Sequence, residues 1–300
     1  MNSNKVIVAL DSDNFDKSLK LVSRLKKDVY AFKIGYQFFY NFGLEGYKKI
    51  YSICPKIFLD LKLHDIPNTV EKGLEALIKI KPLFTTIHIS GGDDMMIAST
   101  ANKKNTMILG VSILTSLDSY QTKKYYNQKN VSTLVKKFAQ EAKKNKLDGV
   151  VCSPHEIKHI RKIVGKNFII VTPGIRTTYK LKSDDQKRVE NPKKALSLGA
   201  NYLVIGRPIT KSRDPLKTLK DINKSLIFTM DGEGDFLSST VSIYENNQLN
   251  KLSKNLNDTS LGYFYAESTK ILGLKPFEHE FKVMGMAPYA KKEDVARILK

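Results

Sequence analysis

The stretch from Lys56 to Thr69, KIFLDLKLHDIPNT, decides how this chain is to be read. It opens on an apolar run, Ile57-Phe58-Leu59, of the kind that forms a buried strand, and it closes on Asp60, Lys62 and Asp65. Strand side chains alternate faces, so Asp60 and Lys62 point the same way. Opposite charges at the end of a buried strand are costly unless paired, and a lysine held between carboxylates is a candidate proton donor. Asp65 lies just past the strand, where a loop could turn it back toward that lysine. Pro67 suits the first turn of a helix. The stretch is therefore one strand–helix unit with its polar chemistry at the C-terminal end of the strand.

The same unit recurs outward in both directions. Strands are expected at 5–11, 29–35, 56–62, 85–90, 107–114, 149–153, 168–174 and 201–206. Amphipathic helical stretches such as 14–27, 67–80, 130–146 and 214–226 alternate with them. Eight strands with nearly continuous apolar runs, each followed by a helical pattern, predict an α/β fold of the (β/α)8 TIM-barrel type, with an open doubly wound sheet as the runner-up. Asp11, Lys33, Asp60, Lys62, Ser90, Thr115, Gly174 and Arg207 fall at or just beyond strand C-termini, the face where barrel enzymes carry their chemistry. Two polar connections, 115–129 and 175–191, are long enough to serve as lids.

Composition narrows the function classes. The 300 residues suit one large domain plus a smaller piece, and 41% hydrophobic content supports a sizeable core. The formal charge of +20 comes mainly from lysines scattered along the chain, with no basic block interleaved with aromatics, so nucleic acid is not an expected partner. The charge favours anionic ligands. Cys54 and Cys152 are far apart and read as buried thiols of a reducing compartment. The first strand begins too near Met1 for a signal peptide, and no apolar stretch is long enough to cross a bilayer. A cytoplasmic location is expected.

Two strand ends stand out in a chain with so few arginines. Pro173-Gly174-Ile175-Arg176 closes the seventh strand and Ile205-Gly206-Arg207-Pro208 the eighth. In these barrels the loops after strands seven and eight commonly bind phosphate through glycine N–H groups and a cation, and arginine's planar fork matches phosphate bidentately. His155-Glu156-Ile157-Lys158-His159 fits the HExxH zinc pattern, but nothing completes a ligand set, so a solvated helix face is expected and no metal. His64 and His88 are expected to be structural hydrogen-bonding residues.

With these motifs assembled, residues 1–226 resemble the bacterial-type orotidine 5'-phosphate decarboxylases, from Ala9-Leu10-Asp11 through DLKLHDIPNT and Leu114-Thr115-Ser116 to PGIR and IGRP. The resemblance implies conversion of orotidine 5'-monophosphate to UMP and CO2 in pyrimidine biosynthesis, without a cofactor, by a homodimer with shared sites. It implies Lys62 as the proton donor to pyrimidine C6 within a Lys33-Asp60-Lys62-Asp65 charge array, Asp65 being supplied by the other subunit. Asp11 and Lys33 would contact the ribose, with Thr69 from the other chain. Thr115 and Ser116 would lie near the pyrimidine, and Arg176, Gln186, Gly206 and Arg207 would hold the phosphate. The charged motif also marks related Mg2+-dependent sugar-phosphate decarboxylases, which stay open as an alternative, as does a noncatalytic phosphate-binding barrel.

Near residue 227 the strand–helix rhythm stops. Asp231 to Asp235, DGEGD, reads as a turn-rich break, followed by a hairpin-like STVSIYENNQLNKLS and a helical DTSLGYFYAESTKIL. With the closing Lys282-Val283-Met284-Gly285-Met286-Ala287-Pro288-Tyr289, residues 227–300 resemble a stretch of the carbamoyltransferases that carry an actin/Hsp70-like domain. The expected second unit is a short, incomplete α+β segment, read as noncatalytic, with a docking module as the alternative.

Overall fold

In the computed structural model the described residues are 4–175, 190–223, 225–234, 237–245, 248–256 and 269–275. The chain divides into two compact units, Met1–Asn223 and Lys224–Lys300.

The first unit is a closed parallel barrel of eight strands in chain order. They are β1 (Val6–Ala9), β2 (Ala31–Ile34), β3 (Ile57–Leu63), β4 (Phe84–His88), β5 (Met107–Val111), β6 (Gly149–Val151), β7 (Ile169–Thr172) and β8 (Tyr202–Ile205). The seam closes where Ile7 of β1 faces Val204 of β8. The (β/α)8 architecture expected from the repeating units is the one that forms. Several strands are shorter than their apolar runs, because residues such as Ile113 and Cys152 are buried beyond the last ladder pair. Asparagine caps fix several helix starts: Asn14, Asn130 and Asn191 accept from the backbone N–H of Lys17, Thr133 and Lys194. Pro67 opens the helix Pro67–Ile78.

Alternation along each strand divides the core in two. Val6, Val8, Phe32, Ile34, Ile57 and Leu59 face the helices. Ile7, Ala9, Ala31, Phe58, Phe84, Leu109, Val171 and Val204 fill the barrel interior. The N-terminal mouth is closed by aromatic rings. Tyr30 stacks on Tyr202 at 4.0 Å between centroids, and Phe84 lies 5.7 Å from Tyr202 and 5.8 Å from Phe58. Lys5 and Lys56 place their ammoniums 5.8 and 5.4 Å from the Tyr202 and Tyr30 ring centres. Near the N-terminal end of β7, Arg161 donates to the carbonyls of Gly165, Phe168 and Gly199 and to the Asn201 side chain, joining the loops that enter β7 and β8.

The HExxH stretch does not form one helix face. Pro154–Glu156 is a 3-10 turn and the α-helix Ile157–Val164 begins after it. His155 and His159 are exposed whereas Glu156 is buried. Among the described residues no three His, Cys, Asp or Glu side chains are grouped to hold a metal.

The second unit contains a three-stranded antiparallel sheet with β9 (Ser225–Gly234), β10 (Leu237–Glu245) and β11 (Gln248–Leu256), ordered β11-β10-β9. Glu245 faces Gln248 across the hairpin expected there. The DGEGD stretch differs from its reading as a break. Asp231 to Gly234 continue β9 to its pairing with Leu237, and the register slips between Met230 and Gly234, where glycines tolerate an irregular backbone. Of the helical stretch expected before Leu274, Thr269 to Ile271 is helical and the part before Thr269 lies outside the described residues. The motif at 282–289 also lies outside them.

Candidate active site

The interior face that is apolar at the bottom of the barrel turns polar near its C-terminal rim. On β2, Ala31 is followed two residues later by Lys33; on β3, Phe58 is followed by Asp60 and Lys62; on β4, Phe84 is followed by Thr86. Alternation carries Lys33 and Thr86 inward, and Asp60 and Lys62 reach the same side through an irregular stretch of β3. Lys33, Phe58, Asp60 and Lys62 line a cavity of about 700 Å³ that also takes in Asp11, Thr115, Gly174, Gly206 and Arg207.

The charges interlock. Lys62 Nζ lies 2.9 Å from Asp60 Oδ2. Lys33 Nζ lies 3.7 Å from the same oxygen and 3.2 Å from Asp11 Oδ1. The other oxygen of Asp60 accepts a 2.9 Å hydrogen bond from the Thr86 hydroxyl. Burial would push the Asp60 carboxyl up, but the Lys33 and Lys62 ammoniums and the hydrogen bonds from Lys62 and Thr86 outweigh it and hold the group below the usual aspartate value. Burial likewise opposes charge on Lys33, and Asp60 and Asp11 together raise it above the ordinary lysine value. Both groups are therefore ionised at neutral pH.

Lys62 is set in an unusual backbone. Its φ is +46°, in the left-handed region that L-residues other than glycine seldom occupy. Such a conformation costs about 1–2 kcal/mol and persists only when its surroundings impose it. The β3–β4 register shows what does so. Leu59 faces Thr85 and Leu63 faces Ile87, so β3 advances four residues while β4 advances two. Within this bulge the Lys62 N–H donates to Thr86 Oγ1 at 2.9 Å. Outside the lattice the Lys62 ammonium lies 5.6 Å from the Tyr36 ring centre, and the Tyr36 hydroxyl donates to the Leu61 carbonyl at 3.0 Å.

Glycines shape the walls. A Cβ on Gly35 would lie 2.9 Å from Lys33 Nζ, so a side chain there would displace the ammonium. Gly174 has φ +78°, which favours glycine at the end of β7.

The remaining expected site residues divide by position. Asp11, Thr115, Gly206 and Arg207 line the cavity. Ser116 is exposed and does not. Asp65 and Thr69 are exposed on the rim and also lie outside the cavity lining. The Asp65 carboxylate accepts from the N–H of Ile66 at 2.7 Å. Within one chain the lattice is thus Asp11-Lys33-Asp60-Lys62. Arg176 and Gln186 fall outside the described residues. His88, on the interior face of β4, is held below the usual histidine value by burial, by His64 and by Lys62, against an opposing pull from Asp60. Its ring lies 5.3 Å from that of His64. Thr86 and Gly35 had no role in the sequence reading; both are visible only once β2, β3 and β4 lie side by side.

A closed barrel with a lysine–carboxylate lattice at its C-terminal mouth defines a (β/α)8 enzyme of the kind that works on small anionic substrates. Comparison with known proteins narrows the class. Residues 4–222 match the family described as "Orotidine 5'-phosphate decarboxylase / HUMPS family", and the chain belongs to that family. The orotidine 5'-phosphate decarboxylase of Ehrlichia canis is 41% identical over 225 residues, covering 74% of this chain and 98% of that protein. The enzyme of the same name from Pseudoalteromonas translucida is 38% identical over 229 residues, covering 75% of this chain and 97% of its own. Among solved structures, orotidine 5'-phosphate decarboxylase from Lactobacillus acidophilus superposes with a TM-score of 0.63 at 37% identity, covering 73% of this chain and 97% of that one. Residues 221–300 match a different family, described as "Carbamoyltransferase N-terminus".

Proposed function

We propose that the barrel decarboxylates orotidine 5'-monophosphate to UMP and CO2 in pyrimidine biosynthesis. The observation that carries this reading is the Lys33-Asp60-Lys62 lattice at the mouth of the cavity, on a chain about 40% identical to proteins named for that reaction. When the bond from C6 to the carboxylate carbon breaks, CO2 leaves and the electron pair stays on C6. The Lys62 ammonium opposes that charge as it develops and then transfers a proton to C6, giving UMP; the neutral amine regains a proton from water. Preorganisation matters because Asp60, itself held by Lys33 and Thr86, fixes the ammonium before substrate arrives. Asp11 and Lys33 serve the ribose side, Thr115 and Ser116 the pyrimidine side. Arg176, Gln186, Gly206 and Arg207 hold the phosphate, whose binding energy favours closure over the site.

Asp65 and Thr69 act in trans on this reading, in a homodimer. They stand exposed beside Ile66, which is 67% exposed, and Tyr40, also large and apolar, is 77% exposed. Surfaces of that kind favour burial against a second copy. Mixing Lys62→Ala with Asp65→Asn chains is expected to restore turnover that neither variant has alone; heterodimers without recovery would place the whole site in one chain. The carbamoyltransferase-like segment takes no part in the chemistry.

The Mg2+-dependent alternative meets an obstacle in Asp60, whose two oxygens are already engaged by Thr86 and Lys62. The deciding experiment follows the ultraviolet difference between orotidine monophosphate and UMP on the full chain in EDTA. Turnover without added metal is expected. Turnover restored only by Mg2+ would favour the alternative, and tight UMP binding without turnover would favour a noncatalytic barrel.

A further inference from the structure

We propose that Thr86 is a positioning residue for Lys62: its hydroxyl holds the lysine backbone in its left-handed turn and aims Asp60 at the ammonium. This rests on the decarboxylase reading above and adds a residue to it.

The argument begins with what a hydroxyl can do. It has one proton to give and lone pairs to accept with. Thr86 uses both, donating to Asp60 Oδ1 and accepting from the Lys62 N–H, each at 2.9 Å. Because its proton goes to Asp60, that carboxylate must be the acceptor, and its second oxygen is left to face Lys62 Nζ at 2.9 Å. Thr86 is 0% exposed, so water cannot take over either bond. Its branched Cβ restricts χ1, which fixes the direction of the hydroxyl.

The geometry ties this hydroxyl to the bulge. β3 gains two residues on β4 between Leu59 and Leu63, and the N–H that would otherwise be left over in that slip is the one Thr86 receives. Without the hydroxyl, a partly buried N–H loses its acceptor and the left-handed φ of +46° loses its restraint. Relaxation toward extended backbone would swing the Lys62 side chain relative to Asp60. The adjacent residue supplies a control. Thr85 is equally buried, faces the helices, and its hydroxyl has no hydrogen-bond partner.

The test compares Thr86→Val, Thr86→Ser and Thr85→Val in the full chain. Thr86→Val is expected to lower kcat about 10- to 100-fold, the effect of losing a hydrogen bond to a charged group, with UMP affinity changed by less than about threefold. Thr86→Ser keeps the hydroxyl and should restore kcat to within about threefold of the parent, and Thr85→Val should match the parent. Hydrogen exchange at the Lys62 amide should speed up in Thr86→Val alone. Thr86→Ala removes the hydroxyl without a methyl that must fit, so a misfolded valine variant does not end the test. A native kcat in Thr86→Val or Thr86→Ala, a serine variant as slow as valine, or an unchanged Lys62 amide would overturn the proposal. A parent chain with no turnover would sink the decarboxylase reading instead, leaving amide exchange to decide the role of Thr86.

Discussion

The two mouths of the barrel are made from the same eight strands and are held together by different physics. At the N-terminal mouth, Tyr30, Phe84, Tyr202 and Phe58 meet ring to ring, and contact alone suffices. Burial raises the Tyr202 phenol well above its ordinary value, with the neighbouring Tyr30 adding to the shift, so that hydroxyl stays neutral. At the C-terminal mouth, Asp11, Lys33, Asp60 and Lys62 are charged and close, and contact is not enough. Their oxygens and ammoniums must be aimed. The means of aiming are a bulge, a left-handed lysine and a glycine that leaves room for an ammonium. The difference teaches that dispersion tolerates small errors of geometry, whereas desolvated charge does not.

The largest test of this contrast removes a charge. Lys62→Ala should lower kcat by about 10³-fold or more while UMP still binds through the phosphate end of the site. Turnover near that of the parent would end the proposed division of labour. Removing a ring from the other mouth should do the reverse. Tyr202→Ala is expected to cost about 3 kcal/mol of stability, read as a lower urea midpoint, with kcat changed less than about twofold at temperatures where the variant is folded. A large loss of kcat in a folded variant would mean that the two mouths are coupled.

The smallest effect is in pH. Because His88 has a folded value depressed below its unfolded value near 6.5, it contributes stability above about pH 6.5 that is lost as pH falls through the folded value. Asp60 is also depressed, and its contribution disappears at lower pH, below about 4. Urea midpoints measured from pH 7 to pH 5 should fall, and His88→Asn should flatten that slope. An unchanged slope would remove His88 from the account.

Much of the barrel was legible because parallel strands covered on both faces must be apolar nearly throughout, and eight such runs are hard to arrange otherwise. Asp60 and Lys62 could be placed on one face by alternation alone. Their bulge could not, because a register slip belongs to two strands and β3 does not announce where β4 stands. Thr86 was invisible for the same reason: within Phe84-Thr85-Thr86-Ile87 it reads as an ordinary β-branched strand residue. Asp65 was close to Lys62 in sequence, yet the chain turns into the helix that starts at Pro67 and leaves the carboxylate exposed. The HExxH spacing assumed one continuous helix, and the 3-10 turn at Pro154 divides it. In the second unit, acidic and glycine residues suggested a break, but antiparallel pairing carries β9 through them.

The seam between β1 and β8 also has a meaning in time. β1 is made first, and its pairing of Val6 with Leu203 and Ile7 with Val204 cannot form until nearly the whole barrel has been synthesised. On a ribosome, the first strand therefore waits with one ladder open, an edge that could pair wrongly with a neighbour. Residues 224–300 follow β8, so the last strand can clear the ribosome and meet the first while the polypeptide is still being extended.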